Sequence, residues 1–204
     1  MSLTASQVHE IKKAPPVQGV MPIFHERWSP RSFSDREVAP ETLAKVFEAA
    51  RWAASSANEQ PWRFIVGARG SETFNKIYES LAGLNREWAG NAAYLILGVA
   101  KTHFGNGRPN PYALYDLGAA ASDLTLQAAA LGLSTHQIGG FDHQAVRLAL
   151  DVPEEFTPGA VIALGYRDEP EKLANPALIE RELAARSRKP LSEIVFAEWG
   201  QPAL

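Results

Sequence analysis

From Ala92 to Ala100 the chain runs Ala-Ala-Tyr-Leu-Ile-Leu-Gly-Val-Ala without a charged side chain. A bilayer takes about 20 apolar residues to cross, so this run is too short to span one and reads as a buried strand. A buried strand obliges the rest of the chain to cover it. The flanking sequence does so with alternating elements: strands over residues 62–66, 93–99, 134–138 and 160–166, with helical spacing over 40–53, 72–81, 111–131, 143–150 and 177–185. Strands separated by helices predict an α/β or α+β architecture. At 204 residues the chain suits one well-buried domain and no internal linker divides it.

Several punctuation marks sharpen this outline. Pro15 and Pro16 end a short helix over 6–13, placed outside the core fold. The longest helix, over 111–131, opens with Asn110 as N-cap and Pro111 in its first turn, and Gly132 closes it. Small residues (Gly118 to Ala121, then Ala128 to Ala130) would let another backbone approach it closely, although alanine also simply favours helix. A helical turn falls at 85–90, and 102–110 is a glycine-, asparagine- and proline-rich loop. The stretch Ile194-Val195-Phe196 has strand character and no obvious neighbour close in sequence, an edge that another chain could cover.

Composition excludes whole classes of chemistry. With no cysteine there are no disulfides, thiolate nucleophiles, zinc–sulfur sites or iron–sulfur clusters. A net charge of −3 gives no overall positive field to recruit nucleic acid. The N-terminus is polar and carries no signal-peptide core, so the cytoplasm is the expected location, with no membrane partner. No P-loop, H-E-x-x-H or G-x-G-x-x-G motif occurs.

Against that background two segments stand out. Arg27-Trp28-Ser29-Pro30-Arg31 places two guanidiniums around a hydroxyl, and Pro30 keeps Ser29 out of helical geometry. In an extended segment Arg27, Ser29 and Arg31 face one side, where their donors suit a phosphate or a flat, electron-rich acceptor. Taken alone, a charged run of this kind is commonly a solvated loop. Ser55-Ser56-Ala57-Asn58-Glu59-Gln60-Pro61-Trp62 is a second loop, rich in hydroxyls and amides and ending on an aromatic anchor.

Together these segments resemble the FMN-dependent nitroreductase family. The likeness runs from about Arg27 to Val195, with the segments in the family's order. It implies an α+β fold with a central mixed or antiparallel sheet, a homodimer whose tails are exchanged, and non-covalent FMN at the subunit interface. The implied layout is an N-terminal extension over 1–20 and one FMN-binding domain over 21–204, whose arm from about 168 embraces the partner. By the resemblance, Arg27 and Ser29 hold the phosphate, and Arg31 faces the flavin's N1 and C2 carbonyl. Asn85 reads the N3 and C4 carbonyl edge, and Gly139 and Gly140 run beside N5. Arg186 and Arg188 close over the phosphate, while Ser55, Ser56, Asn58 and Gln60 reach the flavin of the other subunit. Trp28 and His136 lie among these ligands; for both, packing is the competing reading. Ala54 departs from the proline usual in the family.

The resemblance assigns no protein side chain as an obligatory acid or base; the flavin N5 carries the hydride, with NAD(P)H as donor and a small-molecule acceptor following in a ping-pong cycle. Nitroaromatics and quinones are the family's usual test substrates. Relatives that reduce aldehydes or enones, remove halogens or cleave flavin remain alternatives, as does a flavin-binding dimer whose turnover is incidental.

Overall fold

The structure is a computed structural model that describes residues 3–204. Its core is a four-stranded, fully antiparallel sheet in the order β1 (Trp62–Ala68), β2 (Tyr94–Lys101), β4 (Phe156–Gly165), β3 (Ser134–Ile138). The helices in chain order are α1 (Ala5–Lys12), α2 (Pro22–Glu26), α3 (Pro40–Arg51), α4 (Glu72–Ser80), α5 (Ala113–Ala130), α6 (His143–Ala149) and α7 (Pro176–Leu183). The architecture is α+β.

The apolar run is the spine of the molecule. In β2, Leu95, Leu97 and Val99 point into one cluster with Phe74, Ile77 and Trp88, while Ile96 and Ala100 point into the other with Val46, Leu117 and Leu124. Alternate residues of one strand thus feed both faces. Helix α5 lies close to its face because two glycines make room. A Cβ at Gly98 would stand 3.3 Å from Leu117 Cδ1, and one at Gly159 would stand 2.6 Å from Leu117 Cδ2.

Several sequence expectations are corrected. Helix α5 begins at Ala113, so Pro111 precedes it; Asn110 is no N-cap of α5, its Oδ1 instead accepting the N–H of Tyr112 at 3.1 Å. Gly132 does follow the helix with φ +76, the left-handed conformation that suits glycine. Strand β4 runs Phe156–Gly165, through Pro158 and Gly159, and so starts before the expected 160–166. Gly98 pairs with Ala160 and Val99 with Pro158, so Gly159 bulges out of β4 beside the proline, which has no N–H for the ladder.

The C-terminal stretch also finds a local partner. Strand β5 (Phe196–Glu198) pairs with β6 (Gln201–Pro202) across a turn in which Gly200 has φ +83. Helix α1 is docked against α7: Val8 is buried, and Lys12 Nζ donates to the carbonyls of Arg181 at 2.9 Å and Ala184 at 2.5 Å. Helix α2 had no counterpart in the sequence reading.

Candidate functional site

The arginine loop is bound to the sheet on its β3 side. After Pro30 the backbone runs antiparallel to the segment following β4: Phe33 bridges Arg167, Ser34 N–H donates to the Tyr166 carbonyl at 2.9 Å, and Asp168 N–H donates to the Ser32 carbonyl at 3.1 Å. The Ser32 hydroxyl donates to the Glu169 carbonyl at 2.6 Å. That anchoring leaves the charged side chains of the loop half-buried at the sheet edge.

Three guanidiniums gather there. Arg27 Nη1 donates to Ser29 Oγ at 3.3 Å. Arg186 donates through both terminal nitrogens to the carbonyls of Arg27 and His25, which ties the C-terminal segment onto the loop; its buried Nε has no partner among the described residues. Arg188 is exposed and, among the described residues, donates only to the Ser187 carbonyl, at 2.7 Å. Burial lowers the Arg27 pKa, and the charge of Arg188 lowers it further; Arg186 is lowered by burial, then by Arg27 and Arg188. Among the described residues no carboxylate forms a salt bridge with any of the three. Mutually repelling cations without a counter-charge form a site for an anion.

Arg31 differs. Its guanidinium makes no hydrogen bond among the described residues, and Glu182 Oε2 lies 3.9 Å from its Nη1. Burial lowers its pKa, and Glu182 opposes that shift. Donors that are half-buried and unused are available to a ligand.

Beside it, His136 of β3 packs with its ring 4.6 Å from that of Trp88 at a tilt of 39°, and its Nδ1 lies 3.0 Å from the Pro30 carbonyl oxygen. A carbonyl only accepts, so Nδ1 carries the proton and Nε2 is left as an acceptor. Burial pushes the His136 pKa down to about 4, with the nearby Arg31 and Arg27 charges adding to it. Trp28 serves packing: it is buried at 5% exposure, its Nε1 donates to His9 Nδ1 at 3.3 Å, and the Lys12 ammonium sits 5.2 Å over its ring.

The Gly139–Gly140 turn follows β3 directly. The Gly140 carbonyl accepts Asn85 Nδ2 at 3.2 Å and the N–H of Ala82 at 2.9 Å. A Cβ at Gly140 would stand 2.8 Å from Asn85 Nδ2, so glycine there keeps the amide in place. A Cβ at Gly139 would meet nothing of this chain within 4 Å, and the residue is exposed. Open backbone beside an oriented amide and unused guanidinium donors fits the pyrimidine edge and central ring of a flavin; the repelling arginines fit its phosphate.

Ser55, Ser56, Asn58 and Gln60 are elsewhere. Their loop enters β1, the opposite edge of the sheet, three strand spacings or roughly 14 Å from β3. Ala57, Asn58 and Gln60 have φ of 52, 55 and 48, a left-handed conformation that is uncommon outside glycine and concentrated at functional sites. Ser55 Oγ accepts the N–H of Gln60 at 3.0 Å. Asp116, buried at 3% on α5, accepts the N–H of Ser56 at 3.1 Å. One chain therefore assembles Arg27, Ser29, Arg31, Asn85, His136, Gly139, Gly140, Arg186 and Arg188 along the β3 side, and holds the second loop apart.

Two residues escaped the sequence reading. Glu182 accepts the N–H of Arg31 at 2.9 and 3.1 Å and that of Ser32 at 3.2 Å. Asp116 anchors the second loop. Both sit on the buried stripe of a helix, Glu182 one turn after Leu178 and Asp116 one before Ala120. A carboxylate in an apolar stripe was the available signal.

Several known proteins resemble this chain in sequence and fold. The model of the Nitroreductase family matches residues 25–87 and 68–166. A Mycolicibacterium smegmatis protein known as "Uncharacterized 15.4 kDa protein in ask 5'region" is 36% identical over 69% of this chain and 99% of its own length. The "Putative NADH dehydrogenase/NAD(P)H nitroreductase" of Archaeoglobus fulgidus is 31% identical over 78% of this chain and 95% of its own. A crystal structure described as an oxidoreductase containing FMN superposes with a TM-score of 0.83 at 33% identity, covering 91% of this chain and 94% of that one. A nitroreductase family protein of Clostridium difficile gives 0.68 at 26% identity, covering 86% and 96%. With matched stretches that run through the arginine loop, the sheet and the last strand of the core, the chain belongs to the nitroreductase family.

Proposed function

We propose that this protein is an FMN-dependent oxidoreductase that takes electrons from NAD(P)H and passes them to a nitroaromatic, a quinone or a related small electrophile. The observation that carries the reading is the set of cations without a counter-charge, Arg27, Arg186 and Arg188, next to the unused donors of Arg31. FMN, when bound, supplies two-electron hydride chemistry at N5, alternating between a nicotinamide donor and an acceptor that takes its place.

The chain's own residues do the rest. Arg27 and Ser29 hold the phosphate, and Arg188 adds charge from the exposed C-terminal segment. Arg186 clamps that segment to the loop through the Arg27 and His25 carbonyls. Arg31 places fixed positive charge at the flavin edge that becomes electron-rich on reduction, so it favours the reduced form. Asn85 keeps its Oδ1 and one Nδ2 hydrogen for the opposite edge. Gly139 leaves the ring face open to the backbone. His136, neutral near pH 7, supports the Pro30 carbonyl without adding charge beneath the loop.

We further infer a homodimer in which Ser55, Ser56, Asn58 and Gln60 complete the partner's site. Support comes from the separation of the two loops within one chain and from exposed apolar side chains on the C-terminal segment: Leu191 at 57%, Ile194 at 57% and Trp199 at 95%. The test is direct. Purified protein should be yellow, bind one FMN per chain, and oxidise NAD(P)H faster when a nitroaromatic or quinone is added. A colourless protein whose addition leaves FMN fluorescence unquenched overturns the reading. Bound FMN with no acceptor-dependent NAD(P)H oxidation leaves a flavin-binding dimer instead.

A further inference from the structure

Glu182 is among the most deeply buried side chains, at 1% exposure, on the face of α7 that also buries Leu178. A carboxylate at that depth is costly unless its charge is met. Here it is met on three sides. The backbone N–H groups of Arg31 and Ser32 donate to it, the Arg31 guanidinium lies 3.9 Å from Oε2, and the Lys12 ammonium supplies a second positive field while it caps the last turn of α7. Burial holds the Glu182 carboxyl above the ordinary carboxylate range, and these four partners oppose that shift.

The division of labour within this cluster matters. Both oxygens of Glu182 are engaged by backbone N–H groups, and 3.9 Å is too long for a hydrogen bond to the guanidinium. Arg31 therefore keeps its donors for a ligand while part of its charge is offset from behind. Its backbone, in turn, cannot shift without breaking bonds to α7.

We propose that Glu182 is a positioning residue that fixes Arg31 and offsets its charge, and so sets the reduction potential of the flavin that Arg31 faces. The proposal rests on the FMN reading above. A negative charge behind the edge that gains electron density opposes reduction. Removing that charge while keeping an acceptor should favour the reduced flavin.

Two variants separate charge from scaffold. Glu182→Gln keeps the shape and one acceptor but removes the charge; Glu182→Asp keeps the charge but shortens the reach to the two N–H groups. FMN affinity is read by fluorescence quenching and the potential by anaerobic redox titration against a reference dye. Glu182→Gln should bind FMN within a few-fold of the parent and shift the flavin toward its reduced form about tenfold, near 30 mV for a two-electron couple. Glu182→Asp should lose affinity and leave the potential close to the parent's. An unchanged or more negative potential in Glu182→Gln overturns the proposal. So does a matching change of affinity and potential in the two variants, or a Glu182→Gln chain that fails to fold or to hold FMN, because the amide retains the scaffold contact. Parent protein that binds no FMN removes the flavin reading and this inference together; parent protein with FMN and an unshifted Glu182→Gln removes the inference alone.

Discussion

The two loops that the resemblance assigns to the flavin are anchored by the same device and differ in what surrounds it. Each has backbone N–H groups held by a buried carboxylate on a helix: Glu182 of α7 takes Arg31 and Ser32, and Asp116 of α5 takes Ser56. Around Glu182 stand two cations, Arg31 and Lys12, whereas Asp116 has no salt-bridge partner among the described residues. The first loop is thus part of a charge network, and the second is a shaped surface of hydroxyls and amides with three left-handed residues. Charge is suited to gripping a phosphate and biasing electron transfer; a shaped polar loop is suited to completing a neighbour's site. Substitutions on the two sides should therefore fail in different ways.

The largest effect is expected at the phosphate. Arg27→Ala removes a charge-assisted contact worth about 1.5–3 kcal/mol, or roughly 10- to 150-fold in FMN affinity, alike in both redox states. Arg188→Ala, on an exposed side chain, should follow the same pattern at smaller size. Titration of FMN into both variants checks this, and an effect confined to one redox state would break the assignment to the phosphate.

Arg31→Ala should act on the potential instead. The flavin should become harder to reduce by about tenfold or more, with affinity for oxidised FMN changed less. If Arg27→Ala and Arg31→Ala alter affinity and potential equally, the two arginines have been given the wrong ends of the ligand.

On the other side, Asp116→Ala leaves the N–H of Ser56 without its partner, a loss of about 1–3 kcal/mol. For a chain of this length that is a fall in Tm of roughly 2–4 °C per kcal/mol. The flavin potential should not move, because no charge near the ring has changed. A potential shift comparable with that of Arg31→Ala would erase the contrast between the loops.

The last contrast concerns pH. His136 has a folded-state pKa of about 4 against 6.5 for the free side chain, so the unfolded chain binds more protons between those values. Stability should be full above pH 6.5 and decline as pH falls toward 4. Glu182, whose pKa is raised, works in the opposite sense: its contribution favours the folded state at low pH and is lost as pH rises through its folded value. Denaturant melts of the parent and His136→Gln across pH 4–7 should show a shallower acid-side slope in the variant.

What could be seen in the sequence was whatever has a period or a fixed local chemistry. The buried strand and the long alanine-rich helix carried their own signals, whereas the arginine, asparagine and glycine positions were assigned through the resemblance. The extension of β4 through Pro158 and Gly159 carried no such signal, because proline and glycine are poor strand formers and are admitted here only by a bulge at Gly159 that shows once β4 is paired with β2. Nor did the docking of α1, which depends on Lys12 meeting carbonyls of Arg181 and Ala184 far along the chain. Glu182 and Asp116 were hidden for the same reason. A single carboxylate in an apolar stripe has meaning only once the loop it holds has been brought to it.

The measurement that tests the shared site most directly is FMN stoichiometry in a mixed dimer. One chain carries Arg27→Ala with Arg31→Ala; the other carries Ser55→Ala, Ser56→Ala and Asn58→Ala. Each homodimer is then defective at both of its sites. In the mixed dimer, one site pairs the intact arginine side of the second chain with the intact loop of the first. The account expects that dimer to hold one tightly bound FMN; a mixed dimer as empty as the two homodimers would contradict it.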